Sequence, residues 1–277
     1  MYKIIAHPGS AHKDDFMAAS VLLATLGDAE IYRREPTAED LANPDTYVVD
    51  VGLVYDPEKH NFDHHQDKTL PCAFHLVMQH LGLHEAAKLL FVWYAHMNMM
   101  DVRGPYRTAE HLGVDTQVLF ASSSPIDGYI LSRFSVLKSL PKEDMLYCLM
   151  KDIGRSLIQL ITLKQQRLER LKAEAQVVPM KQFKALVCNI ADDPKLAMEI
   201  FLRELNDEQI VMCITPSIRG KGWEMLRLGD NPMVDFRALA NHPAIRFVHA
   251  TGFVAKTRTL MPLNELLELA AQAISEH

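Results

Sequence analysis

Apolar residues along the chain alternate between two textures, short continuous runs and runs that recur every three or four positions. Tyr2-Lys3-Ile4-Ile5-Ala6 is β-favouring and stops at His7-Pro8-Gly9-Ser10, where Pro and Gly mark a loop. Phe16, Ala19, Leu22, Leu23 and Leu26 then recur at helical spacing and end before Gly27-Asp28, which places Asp14 and Asp15 in a first helical turn. Glu30-Ile31-Tyr32-Arg33 reads as a further strand. Thr46-Tyr47-Val48-Val49-Asp50-Val51 is a β-rich run fit for a buried strand, with Asp50 near its C-terminal end. After a turn at Tyr55-Asp56-Pro57-Glu58, helical patterns cover 73–81 and 85–100. The second delivers Asp101 just past its end, and Gly104-Pro105 closes the segment.

This alternation predicts an α/β domain with a mostly parallel sheet over residues 1–105. From 106 to 176 the texture is helical, with start signals at Ser124-Pro125 and Pro141-Lys142-Glu143 and one long Leu- and charge-rich helix over 144–175. That stretch is read as a connector that ends at Val177-Val178-Pro179. Residues 177–277 return to the α/β texture. Strands are expected at 183–189, 209–215, 223–228 and 246–249, and helices at 195–205 and from Leu263 onward. A basic loop carrying Lys256 and Arg258 is expected after Gly252. The expected architecture is therefore a catalytic α/β domain, a helical connector and a smaller C-terminal α/β domain.

Composition narrows the class. Hydrophobic residues at 48% and charged residues at 23% are ordinary globular values across the 277 positions. No apolar run approaches the roughly 20 residues needed to span a bilayer, and the expectation is a soluble cytoplasmic protein. Cys72, Cys148, Cys188 and Cys213 are scattered without paired spacing and read as reduced core residues. The net charge of −6 argues against a protein that coats long nucleic acids. Its distribution is uneven: residues 1–140 carry 11 Lys and Arg against 18 Asp and Glu.

The acidic half also holds the candidate chemistry. His7, His12, Asp14, Asp15, Asp50, Asp63, His64, His65 and Asp101 offer imidazoles and carboxylates without thiolates, a donor set suited to divalent ions such as Mn²⁺. A two-metal hydrolytic site needs a carboxylate that bridges the ions, further His and Asp ligands, and a shared water. Asp50 is placed for the bridge, because a carboxylate between Val49 and Val51 needs a cation or donors to offset its desolvation. His7, His12 and Asp14 converge on it if the first and third strands are neighbours. Asp63, His64 and Asp101 would then complete the shells.

His7-Pro8-Gly9-Ser10-Ala11-His12-Lys13-Asp14-Asp15, Val48-Val49-Asp50-Val51-Gly52 and Phe62-Asp63-His64-His65-Gln66 resemble the ordered motifs of the DHH phosphoesterase superfamily. The nearest branch is the melanocyte proliferating gene family of metal-dependent hydrolases. Phe247-Val248-His249-Ala250-Thr251-Gly252-Phe253 resembles that branch's C-terminal motif. The resemblance implies one Mn²⁺ held by His7, His12 and Asp50 and another by Asp14, Asp50, His64 and Asp101, with Mg²⁺ or Co²⁺ as alternatives. It further implies that His65 faces the scissile phosphate, that Asp63 orients the adjacent histidines, and that Asp15 supports the catalytic group. In the second domain it points to Arg219, Lys221, His249, Gly252, Lys256 and Arg258 as substrate contacts. The sequence departs from the branch at Val102-Arg103-Gly104, where Asn-Gly is usual, and at Val254-Ala255-Lys256, where Gly-rich residues are usual.

The implied activity is a two-metal phosphoesterase, an exonuclease-like hydrolase of short or single-stranded RNA or oligonucleotides, with no membrane partner. A pyrophosphatase, polyphosphatase or small-dinucleotide phosphodiesterase uses the same metal core. A non-catalytic metal- or nucleotide-binding module keeps the ligands without turnover. Oligomeric state stays open, a homodimer included.

Overall fold

Ile4, Ile5, Val48 and Val49 are all wholly buried, so the two runs that carry them can only be interior strands. The computed structural model describes residues 1–121, 124–190 and 195–275. Strand β1 (Tyr2–Ala6) leads into helix α1 (Lys13–Leu26), β2 (Ala29–Arg33), α2 (Ala38–Ala42), β3 (Thr46–Val49) and the two-residue strands β4 (Tyr55–Asp56) and β5 (Asn61–Phe62). Helices α3 (Ala73–His80), α4 (His84–Leu90), α5 (Val92–Leu112), α6 (Thr116–Ala121) and α7 (Pro125–Ser135) follow, then β6 (Ser139–Leu140) and α8 (Met145–Glu174). The chain divides into two compact units, Met1–Thr162 and Leu163–His277.

The first sheet has the order β4-β5-β3-β1-β2-β6. Its four inner strands are parallel, and the antiparallel β4 and β6 close its edges. The mostly parallel α/β class expected from the sequence is thus found, and β1 and β3 are neighbours. Segment 106–176, expected as purely helical, also supplies the edge strand β6. In the register, Ala6 pairs with Val49, and Val49 with Phe62. The residues that follow these three, His7, Asp50 and Asp63, therefore leave the sheet side by side at one edge, where parallel sheets bind ligands.

Helix α1 begins at this edge and packs on β1, β2 and β3. His12 precedes its first turn, and Gly27, at φ 80°, caps its end by donating its N–H to the Leu23 carbonyl at 3.1 Å. Its central residues Ala18 to Leu23 are buried all round, because helices pack on it as well as the sheet. Gly154 of α8 is the point of closest approach. A methyl group there would lie 2.0 Å from the Ser20 carbonyl oxygen and 2.9 Å from Ala24 Cβ.

The segment 85–105 differs from expectation. Phe91 is extended (φ −126°, ψ 111°) and separates α4 from α5, while Gly104 (φ 74°, ψ 170°) interrupts α5 just before Pro105. Asp101 consequently lies inside α5, one turn before the interruption. The Thr108 hydroxyl donates to the Gly104 carbonyl at 2.8 Å and lies 3.1 Å from the Met99 carbonyl on the far side of this kink between two helical stretches.

The second unit is a sheet of order β11-β12-β10-β9-β8-β7, built from β7 (Gln176–Met180), β8 (Phe183–Val187), β9 (Ile210–Pro216), β10 (Trp223–Arg227), β11 (Ile245–Val248) and β12 (Val254–Thr257). Helix α9 (Lys195–Leu205) makes the crossover between the parallel pair β8 and β9, and α10 (Leu263–Ala271) packs on a core that includes Met225, Phe236 and Leu269. Pro179 sits in the edge strand β7, where a missing N–H is tolerated. Lys256, expected in a loop, belongs to β12, whose alternation is masked by its short length. Among the cysteines, Cys72, Cys188 and Cys213 are buried as expected. Cys148 is exposed instead, on an outward stretch of α8 with Met145 and Leu149.

Gly154→Ala is expected to cost at least about 1–3 kcal/mol, the range of an overpacked core, because backbone rather than a flexible side chain blocks the methyl. Urea unfolding measures it. A loss below about 0.5 kcal/mol, the size of an ordinary surface effect, would contradict the close packing of α1 on α8.

Candidate metal centre

Three strand ends and two helices build the site. Asp50 follows β3 in a left-handed conformation (φ 59°), which Asp tolerates better than most residues, and its N–H donates to the Phe62 carbonyl at 3.0 Å. The loop after β1 carries His7 and His12, α1 carries Asp14 and Asp15, the segment after β5 carries Asp63 to His65, and α5 carries Asp101. Four overlapping sets form with ligand atoms within 4.8 Å of one another: Asp50, His64 and His65; His7, Asp15 and Asp50; His12, Asp14 and Asp50; and Asp14, His64 and Asp101. Asp50 is common to three of them. His64 Nε2 lies 3.2 Å from Asp50 Oδ1 and 3.3 Å from Asp101 Oδ2.

The donor atoms fit a cation. His7 Nδ1, both Asp14 carboxylate oxygens, Asp50 Oδ1 and His64 Nε2 are buried with no hydrogen-bond partner. Polar atoms left so in a protein interior cost free energy unless something else satisfies them. Burial, together with the charges of Asp50, Asp101 and Asp15, raises the Asp14 carboxyl well above its ordinary range. Burial also raises Asp15 to about 7 against the opposing charge of Arg33. Burial disfavours a charged His64, but the carboxylates of Asp101 and Asp50 prevail and lift it to about 10. Negative charge is thus crowded here beyond what the chain neutralises. A divalent cation inverts that logic by favouring every ionised carboxylate.

Asp63 holds a different place. Its Oδ2 accepts the Leu53 N–H at 2.6 Å, and its Oδ1 accepts the His65 N–H at 3.0 Å and the His65 ring Nδ1 at 2.8 Å. Burial would raise the Asp63 carboxyl, but these donors hold it below its ordinary value, so it stays ionised. The His65 side chain is half exposed. With Nδ1 engaged by Asp63, its Nε2 is the free nitrogen.

Arg33 was not singled out from the sequence. It is buried, and its guanidinium donates to Asp15 Oδ2 at 3.1 Å, the Gly9 carbonyl at 3.0 Å, the Ser10 carbonyl at 3.2 Å and the Phe134 carbonyl at 3.2 Å. It therefore fastens the His7–His12 loop to Asp15, whose Oδ1 accepts the His12 N–H at 3.0 Å. Period-two alternation with the buried Ile31 marks Arg33 as inward-facing, and that was the available signal. A cavity of about 600 Å³ opens beside the cluster, lined by His12, Asp14, His96 and Asp101 and by the apolar Trp93, Met97 and Met100.

The six second-unit residues do not gather in one place. Arg219 and Lys256 share a hollow of about 410 Å³ with Arg246 and Phe247. Lys256 Nζ is ion-paired to Glu224 at 2.7 Å, with both side chains mostly buried. His249 Nδ1 lies 2.9 Å from Thr251 Oγ1, and Arg258 donates to the Pro243 carbonyl at 2.9 Å. Gly252 (φ 72°) is required sterically, because a Cβ would meet Asp235 at 2.1 Å. Lys221 is exposed in the turn closed by the Ser217 N–H and Gly222 carbonyl at 2.8 Å. Trp223 is buried and donates to the Met261 carbonyl at 3.1 Å, so it is a core residue.

A strand-edge cluster of His and Asp around a D-H-H triplet is the type of site that the DHH phosphoesterase resemblance implies. Residues 3–83 match the family model MYG1_exonuc, described as an uncharacterised protein family (UPF0160). Over 67 residues the chain is 48% identical to the MYG1 exonuclease of Homo sapiens, which covers 23% of this chain and 17% of that protein. The MYG1 protein of Dictyostelium discoideum is 42% identical over 65 residues, covering 23% of this chain and 19% of that protein. The resemblance to this family is therefore found in sequence over the segment that carries most of the cluster, and the chain matches less than a fifth of these relatives' length. Among solved structures, the exonuclease RecJ bound to manganese aligns with 98% of this chain and 89% of that chain at 15% identity and a TM-score of 0.33. Among the described residues, no helix is long and apolar enough to cross a membrane.

If His65 faces substrate, as the DHH resemblance implies, His65→Ala is expected to leave the divalent-ion content of the protein unchanged, whereas His64→Ala lowers it. Elemental analysis of the purified variants after Mn²⁺ loading and gel filtration reads the difference. Loss of an ion from the His65 variant would place that ring among the ligands.

Proposed function

We propose that the N-terminal unit is the catalytic centre of a divalent-metal-dependent phosphoesterase that hydrolyses short or single-stranded RNA or oligonucleotides from an end. The observation that carries this reading is the convergence of His7, His12, Asp14, Asp50, His64 and Asp101, several of whose buried donor atoms make no hydrogen bond. In this reading these six residues hold two ions, Mn²⁺ first and Mg²⁺ or Co²⁺ as alternatives. Bound there, the ions supply neutralisation of phosphate charge and acidification of a water nucleophile. Asp50, common to three ligand sets, would contribute to holding both ions.

The chain's own groups do the rest. Asp63 accepts the His65 Nδ1 proton and orients the ring, whose other nitrogen would contact a phosphate oxygen or the leaving group. Asp15 and Arg33 keep the His7–His12 loop in place. In the second unit, Arg219, Lys221, His249, Gly252, Lys256 and Arg258 are the proposed substrate contacts, and Arg219 and Lys256 line one hollow with Arg246.

The cavity beside the cluster favours a nucleotide over pyrophosphate or polyphosphate. Trp93, Met97, Met100, Leu119 and Leu131 form an apolar wall that an inorganic chain of phosphates does not use and that a base can cover. The curated relatives named as exonucleases support the same choice.

Hydrolysis of a short RNA, a dinucleotide, pyrophosphate and polyphosphate, each with Mn²⁺, Mg²⁺ or chelator, tests the proposal. Wild type is expected to cleave the RNA with Mn²⁺ and not with chelator, and Asp50→Asn to lose at least about 100-fold in turnover, the upper end of what a ligand-shell change costs. Metal-dependent cleavage of pyrophosphate in preference to RNA would contradict the substrate. No metal-dependent cleavage of any of the four would contradict the enzyme.

A further inference from the structure

Helix α5 separates two cavities. Trp93, His96, Met97, Met100 and Asp101 face the chamber beside the metal cluster, while Ala95, Asn98, Met99, Val102 and Arg103 face a second cavity of about 450 Å³. The mechanism proposed above does not use this second space. Its size lies within the range of small-molecule sites.

The charge around the second cavity runs against its surroundings. Residues 1–140 carry 18 carboxylates against 11 cations, yet the cavity is lined by Lys68, Lys88 and Arg103 and by no Asp or Glu. Among the described residues none of these three cations has an ion-pair partner. Asp67 and Glu85 stand behind this lining, Asp67 Oδ1 accepting the Thr69 hydroxyl at 2.7 Å and Glu85 Oε1 lying 3.7 Å from His84 Nε2, but neither pairs with the three cations, so an anion entering the cavity meets positive groups not already paired. Polar groups able to contact a phosphate or a sugar are also present: Thr69, Gln79, Asn98 and His84, whose Nδ1 lies 2.9 Å from the Tyr94 hydroxyl. His75 adds no charge, since burial lowers its imidazole to about 4 even though its Nε2 donates to the Tyr94 carbonyl at 3.0 Å. Leu70, Pro71, Met99 and Val102 supply an apolar side.

We propose that this cavity is a second anion site, separate from the metal cluster, that binds a phosphate monoester of mononucleotide size. Lys68, Lys88 and Arg103 hold the phosphate, and Leu70, Pro71 and Val102 cover the organic part. The monoester has two sources, a free mononucleotide or the phosphorylated end of an oligonucleotide. The site needs no divalent ion, so it stands or falls apart from the hydrolytic reading.

Isothermal titration in excess chelator tests it, with adenosine monophosphate and a 5′-phosphorylated trinucleotide as separate probes and adenosine as the phosphate-free control. At least one phosphorylated probe is expected to bind at one equivalent per chain, and adenosine at least ten-fold more weakly. Lys88→Glu and Lys68→Glu change exposed side chains and are each expected to weaken binding at least ten-fold, while Asp50→Asn retains it. Tight binding of the mononucleotide assigns the site to a free nucleotide, and binding of the trinucleotide alone assigns it to an oligonucleotide end. Failure of both phosphorylated probes to bind, or binding indifferent to both lysine variants, overturns the proposal even if metal-dependent hydrolysis is intact.

Discussion

The pairing of Ala6 with Val49 and of Val49 with Phe62 is the constraint on which the site depends. A parallel ladder fixes not only which strands are neighbours but which residue leaves the sheet beside which. Here it brings His7, Asp50 and Asp63 out at one level. A slip of one residue in β3 would send Val49 outward and turn the Asp50 carboxylate to the other face, since strand side chains alternate. The buried aliphatic runs of β1 and β3 hold the register, so the chemistry is specified by the hydrophobic core beneath it.

Gathering carboxylates at such an edge is expensive. Asp14, Asp15 and Asp50 are each nearly inaccessible to water, and the Asp50 carboxylate raises the cost of ionising both Asp14 and Asp15. The protein offsets one of them with Arg33, whose guanidinium is itself desolvated and held by three backbone carbonyls besides Asp15. Asp63 is offset by N–H donors and by the His65 ring. Asp50 faces the His64 ring at 3.2 Å, and neither carboxylate oxygen of Asp14 makes a hydrogen bond. The distinction separates carboxylates that support the framework from those left available to a cation.

Much of this was legible in the chain. The strand runs of β1 and β3, the helical spacing of α1 and the burial of Asp50 between valines were strong local signals, and together they placed the cluster at a sheet edge. Other features depend on tertiary context. The separation of α4 from α5 turns on Phe91, an apolar residue with no breaker signature. Asp101 sits just beyond the expected helix end at Met100, because the first stretch of α5 runs on to the kink at Gly104, where Gly104-Pro105 does end it. The strand role of Lys256 was hidden because β12 is four residues long and its partner Glu224 is distant in sequence. Arg33 showed its inward direction by alternation but not its partners, since the loop carbonyls it binds carry no side-chain signature. The acidic balance of residues 1–140 likewise concealed the three cations that meet at one cavity.

Anomalous scattering from a crystal of the Mn²⁺-loaded protein tests the central claim most directly. The account predicts two manganese peaks roughly 3.5–4 Å apart with the Asp50 carboxylate between them, as in two-metal hydrolytic centres. A single peak, or two peaks of which neither touches Asp50, would contradict it.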